Sequence, residues 1–327
     1  MPTATVNTSD STPDFILTSF PGLEAYRHLL SIPFIIMYSF AIVGNIAIIY
    51  IIKLEETLHT PMYILLCILA VVDIGLCNTT TPKMLAILLN DARSISFQAC
   101  FLQMFFIYFF STLESSILAV MAYDRYIAIC NPLRYSTILT TAAISKILLV
   151  LFLRCAILTG LIPIMASKLP YCSSTVVPQT YCDHMPVANL ACTDITINSY
   201  YGLSVAFLIV GMDVIFISFT YIMIIRAVLK LASKQARIKA FSTCGSHVFI
   251  ILYFYTSGLG SFLTYRFSKN AFNQLNIVSS VLYLILPPVL NPAVYGVRTK
   301  EIQISEGFIK DFRKNTYWKC SSPFVLV

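Results

Sequence analysis

Charge is what this chain has least of. Only 11% of its 327 residues are Asp, Glu, Lys or Arg, where soluble globular domains carry roughly 25%. A soluble surface of this size cannot be covered with so few charges, which excludes a compact soluble enzyme. Disorder is excluded as well, because 57% of the residues are hydrophobic and disordered chains are poor in them. Residues 1–22 lack the apolar core of a secretory signal. The alternation of a membrane β-barrel is missing, as are the internal repeats of many transporters. No His/Asp/Glu metal cluster or nucleophile motif of a membrane enzyme stands out. The remaining class is a polytopic helical membrane protein. Its net charge of +7 is modest and reads as a topology signal, with no call for a nucleic-acid partner.

What the chain does have is apolar sequence in long runs, at about 29–52, 59–89, 98–130, 141–164, 198–230, 240–263 and 272–296. Each exceeds the ~18–20 residues that a helix needs to cross ~30 Å of hydrocarbon. Helix is also the form in which backbone groups in lipid pair within their own segment. The expected fold is an all-α membrane protein: a seven-transmembrane-helix bundle over 29–296, a tail at 1–28, and a terminal segment at 297–327.

Seven crossings put the termini on opposite sides. Fifteen Lys and Arg residues fall on one side and six on the other, with Arg154 inside a span. The positive-inside rule then places the C-terminus in the cytoplasm and the N-terminus outside. The sequon Asn7-Thr8-Ser9 agrees, since glycosylation at Asn7 requires the outer side. Cys100, Cys172, Cys182 and Cys192 lie in the same oxidising compartment, enough for two disulfides in any of three pairings. Residues 299–314 put Ile304, Phe308 and Phe312 on one face among Lys300, Lys310, Arg313 and Lys314, a short amphipathic helix lying on membrane lipid. Arg226, Lys230, Lys234 and Arg237 form a basic stripe toward anionic lipid or a cytoplasmic partner.

The few intramembrane charges are costly and therefore informative. Asp73 lies 13 residues after Thr60, roughly 20 Å along its helix, and Glu114 lies 14 after Cys100, roughly 21 Å along the next. Both reach mid-membrane, where two neighbouring carboxylates should share a proton or a cation. Arg154 and Asp213 read as bundle-facing structural groups. Pro292, after Asn291, frees a backbone carbonyl and permits a kink in the seventh span. Asp124-Arg125-Tyr126 sets a cation at the inner end of the third span, as an interfacial anchor or as a re-pairing switch. His184 with Cys182 and Cys192 invites a metal reading, but disulfides would consume the thiolates, so no metal is expected. Tyr108, Ser111, Thr112 and Ser115 share one face of the third helix, and Tyr255, Phe262 and Arg266 recur at i, i+7 and i+11 on the sixth. Such stripes are ordinary core packing unless something else marks a pocket.

Four motifs supply that mark. LHTPMYILLCILAVVDIG at 58–75, MAYDRYIAICNPLRY at 121–135, KAFSTCGSH at 239–247 and PPVLNPAVYG at 287–296 stand in order, each at the matching span. Together they resemble the odorant receptors of the rhodopsin-like seven-helix class. TSFPGLE at 18–24, LPYC at 169–172, YCDH at 181–184 and LAC at 190–192 resemble the class I, or fish-like, group. The resemblance covers about 18–312.

The resemblance implies a plasma-membrane receptor that binds a small volatile ligand in the outer half of the bundle. It also implies a heterotrimeric stimulatory G protein as partner and a rise in cyclic AMP. It assigns Tyr108, Ser111, Thr112, Met185, Gly202, Ala206, Tyr255, Phe262 and Arg266 to the ligand pocket. Asp124, Arg125, Tyr126, Asn291, Pro292 and Tyr295 go to the G-protein switch. It pairs Cys100 with Cys182 and Cys172 with Cys192, and it sets Asn45 and Asn291 around Asp73 and Glu114 as a site for a regulatory sodium ion, with no other cofactor. Arg266, in TYRF at 264–267, stands where receptors of this group for short carboxylic acids use an arginine, whose fork matches a carboxylate. Three positions depart from that pattern: Phe262 replaces a small hydroxyl, Met185 an amide and Tyr108 a histidine. The other readings are the same architecture sensing a non-odorant metabolite, or a small-solute transporter.

Overall fold

The computed structural model describes residues 14–172, 175–230, 233–267 and 274–298, with only the backbone course given for 236, 239, 240, 242, 243, 263–267, 275 and 296–298. Asn7, the amphipathic segment 299–314 and the rest of the terminal segment lie outside the described residues, as does the Arg266 side chain.

Seven long helices account for nearly all of it: α1 Arg27–Leu54, α2 Pro61–Asn90, α3 Phe97–Cys130, α4 Thr141–Ser167, α5 Thr196–Leu229, α6 Lys234–Phe267 and α7 Gln274–Arg298. Six are long and apolar enough to cross a membrane by length and composition. The other, α6, matches α3 at 34 residues but opens on a polar, basic turn. Local chemistry sets the boundaries. Ser96 and Thr140 accept the backbone N–H groups of Ala99 and Ala143 and so cap α3 and α4. Pro61 opens α2 at a position where no N–H is needed. Asp91, in the left-handed region at φ 54°, ends it. α5 is interrupted by a π turn at Phe207–Gly211, which shifts the face that the rest of the helix presents.

α3 runs through the centre of the bundle, and most of its side chains from Ser111 to Ala122 are buried. α1, α4 and α5 expose apolar faces, including Val43, Val150, Ile157, Phe207 and Phe219, as helices surrounded by lipid do. α1 meets α7 closely at Gly44, where a Cβ would sit 2.9 Å from the Pro292 ring.

One end of the bundle carries a small sheet. β1 Phe15–Leu17 lies between β2 Ser94–Ile95, antiparallel, and β3 Val176–Val177, parallel. Phe15 is fully buried against Phe97, Phe101 and Tyr171. From β3 the chain dips into the mouth of the bundle, burying Gln179, Thr180, Tyr181 and Cys182. Disulfides Cys100–Cys182 and Cys172–Cys192 tie this loop to α3 and to itself, as the resemblance implied.

Candidate functional site

The polar groups that an apolar bundle must account for fall into four sets along α3, the second and third standing at the same level on neighbouring residues. The first lies under the sheet. The Tyr108 hydroxyl donates to the Asp183 carboxylate at 2.5 Å, and the same oxygen accepts the His184 backbone N–H at 2.9 Å. His184 opens a short helix, His184–Ala188, and its buried ring faces Tyr108, Asn198 and Gly202. A Cβ at Gly202 would lie 2.9 Å from His184 Nδ1, so the imidazole fills the space beside that glycine. Desolvation lowers the His184 pKa below its ordinary value and raises that of the Asp183 carboxyl, so the ring is neutral near pH 7.

About two helical turns deeper lies the second set. Ser115 and Ser116 both donate to Asp213 Oδ2, at 3.0 and 2.9 Å. Arg154 Nη2 donates to Ser116 Oγ at 2.7 Å and pairs with Asp213 Oδ1 at 3.3 Å. The Tyr255 hydroxyl lies 2.9 Å from Ser115 Oγ. One connected set of polar atoms thus joins α3, α4, α5 and α6. Asp213 comes two residues after the π turn, which brings it round to face the serines.

The third set is the carboxylate pair. Asn291 Nδ2 donates to Asp73 Oδ2 at 2.9 Å and Oδ1 at 3.2 Å, and reaches Glu114 Oε1 at 3.4 Å. Asp73 and Glu114 are completely buried, and neither Glu114 Oε2 nor Asn291 Oδ1 has a hydrogen-bond partner. Asn45 bonds to neither carboxylate. Its amide donates to the carbonyls of Ala41 and Pro288, each at 2.9 Å. Pro288 is four residues before Pro292, so its carbonyl is the one deprived of a helical N–H. Asn45 therefore repairs the α7 kink, a role that counting back from the proline could have shown.

The fourth set lies at the far end. Arg125 pairs with Asp124 at 2.9 Å, and the Tyr135 hydroxyl donates to the other Asp124 oxygen at 2.7 Å. The Tyr221 hydroxyl and His247 Nδ1 are 2.6 Å apart, linking α5 to α6. Tyr295 is buried beside this end of the bundle. Neither Tyr135, Tyr221 nor His247 stood out in the sequence, since each is a common core residue until its partner is known.

The structure thus brings Tyr108 and Gly202 together around His184, places Met185 next to it in the short helix His184–Ala188, and joins Tyr255 to Ser115. Ser111 is buried on the same face of α3, and the Thr112 hydroxyl is satisfied by the Tyr108 carbonyl at 2.7 Å. Ala206 ends the first part of α5, directly before the π turn. Phe262 is exposed on α6. Tyr126 packs against the α5–α6 contact around Ile224, Val228 and Cys244.

Comparison with known proteins returns one family. The family profile described as "Olfactory receptor" matches residues 34–310. Among curated proteins, olfactory receptor 52D1 of Homo sapiens is 49% identical over 300 residues, covering 91% of this chain and 94% of that protein. Olfactory receptor 52R1 of Homo sapiens is 46% identical over 299 residues, covering 91% and 95%. Olfactory receptor 52B2 of Homo sapiens is 46% identical over 309 residues, covering 94% and 95%.

Proposed function

The chain belongs to the olfactory receptor family, and we propose that it binds a small carboxylic acid near the sheet-bearing end of the bundle and activates a stimulatory G protein. It is a multi-pass receptor of the plasma membrane and not an enzyme. In the proposed orientation the sheet and disulfides face outward. Two observations support this: the disulfides need an oxidising compartment, and the Lys and Arg bias favours the same side.

The observation that carries the reading is the Ser115–Tyr255 contact. It is the point at which a buried polar chain anchored on α3, α4 and α5 reaches α6. A ligand seated between Tyr108 and Tyr255 changes the partners of the Tyr255 hydroxyl. The α3–α6 contact then changes with it, because a buried hydroxyl must keep a partner. At the opposite end, α6 is held to α5 by Tyr221 and His247, next to the Asp124–Arg125 pair. A shift of α6 relaxes that contact and leaves Arg125 free to re-pair with a G protein. Ligand and partner are then coupled through one two-state element.

Arg266 supplies the acid recognition in this proposal. In a cyclic-AMP reporter assay, a panel of carboxylic acids, alcohols, aldehydes and terpenoids should yield acid agonists. Arg266→Ala should abolish those responses while surface expression persists. Acid responses retained by Arg266→Ala, or no acid agonist in the panel, would overturn the acid assignment.

A second reading concerns Asp73 and Glu114. Two buried carboxylates share one amide, and one oxygen of Glu114 has no hydrogen-bond partner. Such a cluster fits a sodium ion or a shared proton that favours one receptor state.

A further inference from the structure

Residues 15–21 cross the mouth of the bundle and touch α1, the loop after α2, the start of α3, the loop around β3 and the start of α7. Leu17 N–H donates to the Arg93 carbonyl at 2.9 Å, joining the loop after α2. Ile16 N–H donates to the Thr175 carbonyl at 2.9 Å, and Thr18 N–H donates to the carbonyls of Val177 and Gln179 at 3.1 and 3.0 Å. The Thr18 hydroxyl adds a bond to the Val177 carbonyl at 2.7 Å. Phe20 stacks on Phe34 of α1, with ring centroids 5.9 Å apart, and the Pro21 carbonyl accepts from Gln274 of α7. Phe15 and Leu17 have no exposed surface at all.

What this segment holds is the loop that fills the mouth. Directly after β3, Gln179 accepts from Ser280 of α7, at 3.2 Å. Gln103 of α3 accepts the Cys182 N–H at 3.0 Å and donates to the Thr79 carbonyl of α2. Tyr181 packs against Val281, Leu284 and Met84. Beneath it lies a cavity of only ≈ 10 Å³, lined by Thr80, Thr81, Thr180 and Tyr181 among others. Gln179, Thr180, Tyr181 and Cys182 of the loop are themselves buried over this space.

We propose that residues 15–18 are positioning residues for this plug: the β1 strand fixes loop 176–182 in the bundle mouth and so controls access to the interior. Two separate observations require it. The loop's only strand partner among the described residues is β1. The aromatic seat of Phe15 is also built from both sides of the mouth, with Phe97 and Phe101 from α3 and Tyr171 from the loop preceding β3. For ligand entry the inference rests on the receptor reading; for access itself it does not.

The test needs no ligand. Thr80→Cys places a thiol at the small cavity under the plug, on the full chain purified in detergent. Its modification by a cationic, water-soluble methanethiosulfonate is followed peptide by peptide by mass spectrometry, which separates it from the native cysteines. Adding Phe15→Ala and Leu17→Ala should speed labelling about ten- to a hundred-fold, because local opening sets the rate at a buried site. The milder Thr18→Val, which loses one hydroxyl bond and keeps the buried side chains, should speed it a few-fold. Leu58→Ala, an equally buried residue at the opposite end, should not change it. Unchanged labelling in folded Thr18→Val and in the double variant overturns the strap while leaving the receptor reading intact. Equal acceleration by Leu58→Ala also overturns it, since general loosening would then explain the result. Faster labelling with no agonist in the cyclic-AMP panel would sink the receptor reading and leave the strap standing.

Discussion

Two buried polar clusters lie side by side at one level of α3, on different faces of the helix, one built on Ser115 and Ser116 and the other on Glu114. The first contains one cation and one anion, Arg154 and Asp213, with two serine hydroxyls completing the carboxylate. The second contains two anions and a single amide. In a low-dielectric interior the difference decides their behaviour. Opposite charges with hydrogen bonds satisfy each other. Like charges cannot both stay ionised without a counter-charge. The first cluster balances its charge with the chain's own atoms and reads as scaffold and relay. The second leaves Glu114 Oε2 and Asn291 Oδ1 without a hydrogen-bond partner, and we propose that a proton or a small cation completes it.

The comparison breaks first at Arg154. Arg154→Met leaves Asp213 buried with hydroxyl partners alone, and removing one member of a buried pair costs about 3–5 kcal/mol. A membrane receptor has little stability to spare, so surface expression should fall to near background. Arg154→Met with Asp213→Leu removes both charges and should recover most of the expression, because replacing a whole buried pair by apolar groups is often neutral. Flow cytometry of tagged receptor reads both. If the double variant is as poor as the single, the pair does more than neutralise itself.

Glu114→Gln tests the other side with a smaller effect. Wild type should melt at higher temperature in sodium chloride than in choline chloride, by a linkage of about 1–2 kcal/mol for an ion at about five to thirty times its Kd. Glu114→Gln should abolish that difference while remaining as stable as wild type in choline. An unchanged sodium dependence in Glu114→Gln, or none in wild type, removes sodium as the missing component and leaves the shared proton.

These two clusters were unequally legible in the sequence. Asp73 and Glu114 declared themselves, since a carboxylate at mid-membrane is expensive and helical rise gives its depth. Arg154 and Asp213 were visible as charges but not as partners, because their meeting depends on the π turn at Phe207–Gly211, which apolar sequence does not announce. The spans were legible from hydrophobic length, and the disulfide pairing came from family resemblance, not from spacing. The sheet was not legible at all. Its strands are two or three residues long, too short to carry a periodic signal, and FIL at 15–17 looks like any apolar tripeptide in a tail. Gly202 was placed in the pocket by resemblance, and the ring beside it comes from 18 residues upstream across a loop, a contact set by tertiary structure alone.

A third pairing, in the loop itself, extends the comparison to the water side and gives the smallest effect. Asp183, partly exposed, and His184, buried, are adjacent, with the His184 pKa lowered and the Asp183 pKa raised, each mainly by desolvation. Their contributions to pH dependence have opposite signs. Below about pH 6.5 the unfolded histidine takes up a proton that the buried one resists, so stability falls as pH falls. The Asp183 carboxyl takes up its proton at higher pH than an unfolded one, so acidification below that point stabilises the folded loop. The histidine contribution falls within pH 5.5–7.5, around the unfolded histidine pKa of about 6.5. Wild-type labelling at Thr80→Cys should therefore rise modestly from pH 7.5 to pH 5.5 after correction for reagent reactivity, reflecting under about 1 kcal/mol. His184→Gln should flatten that rise, and Asp183→Asn, which deletes the opposing contribution, should steepen it. A slope that ignores His184→Gln would assign the titration elsewhere, and the loop would then resemble the charge-balanced Arg154 cluster more than the one at Glu114.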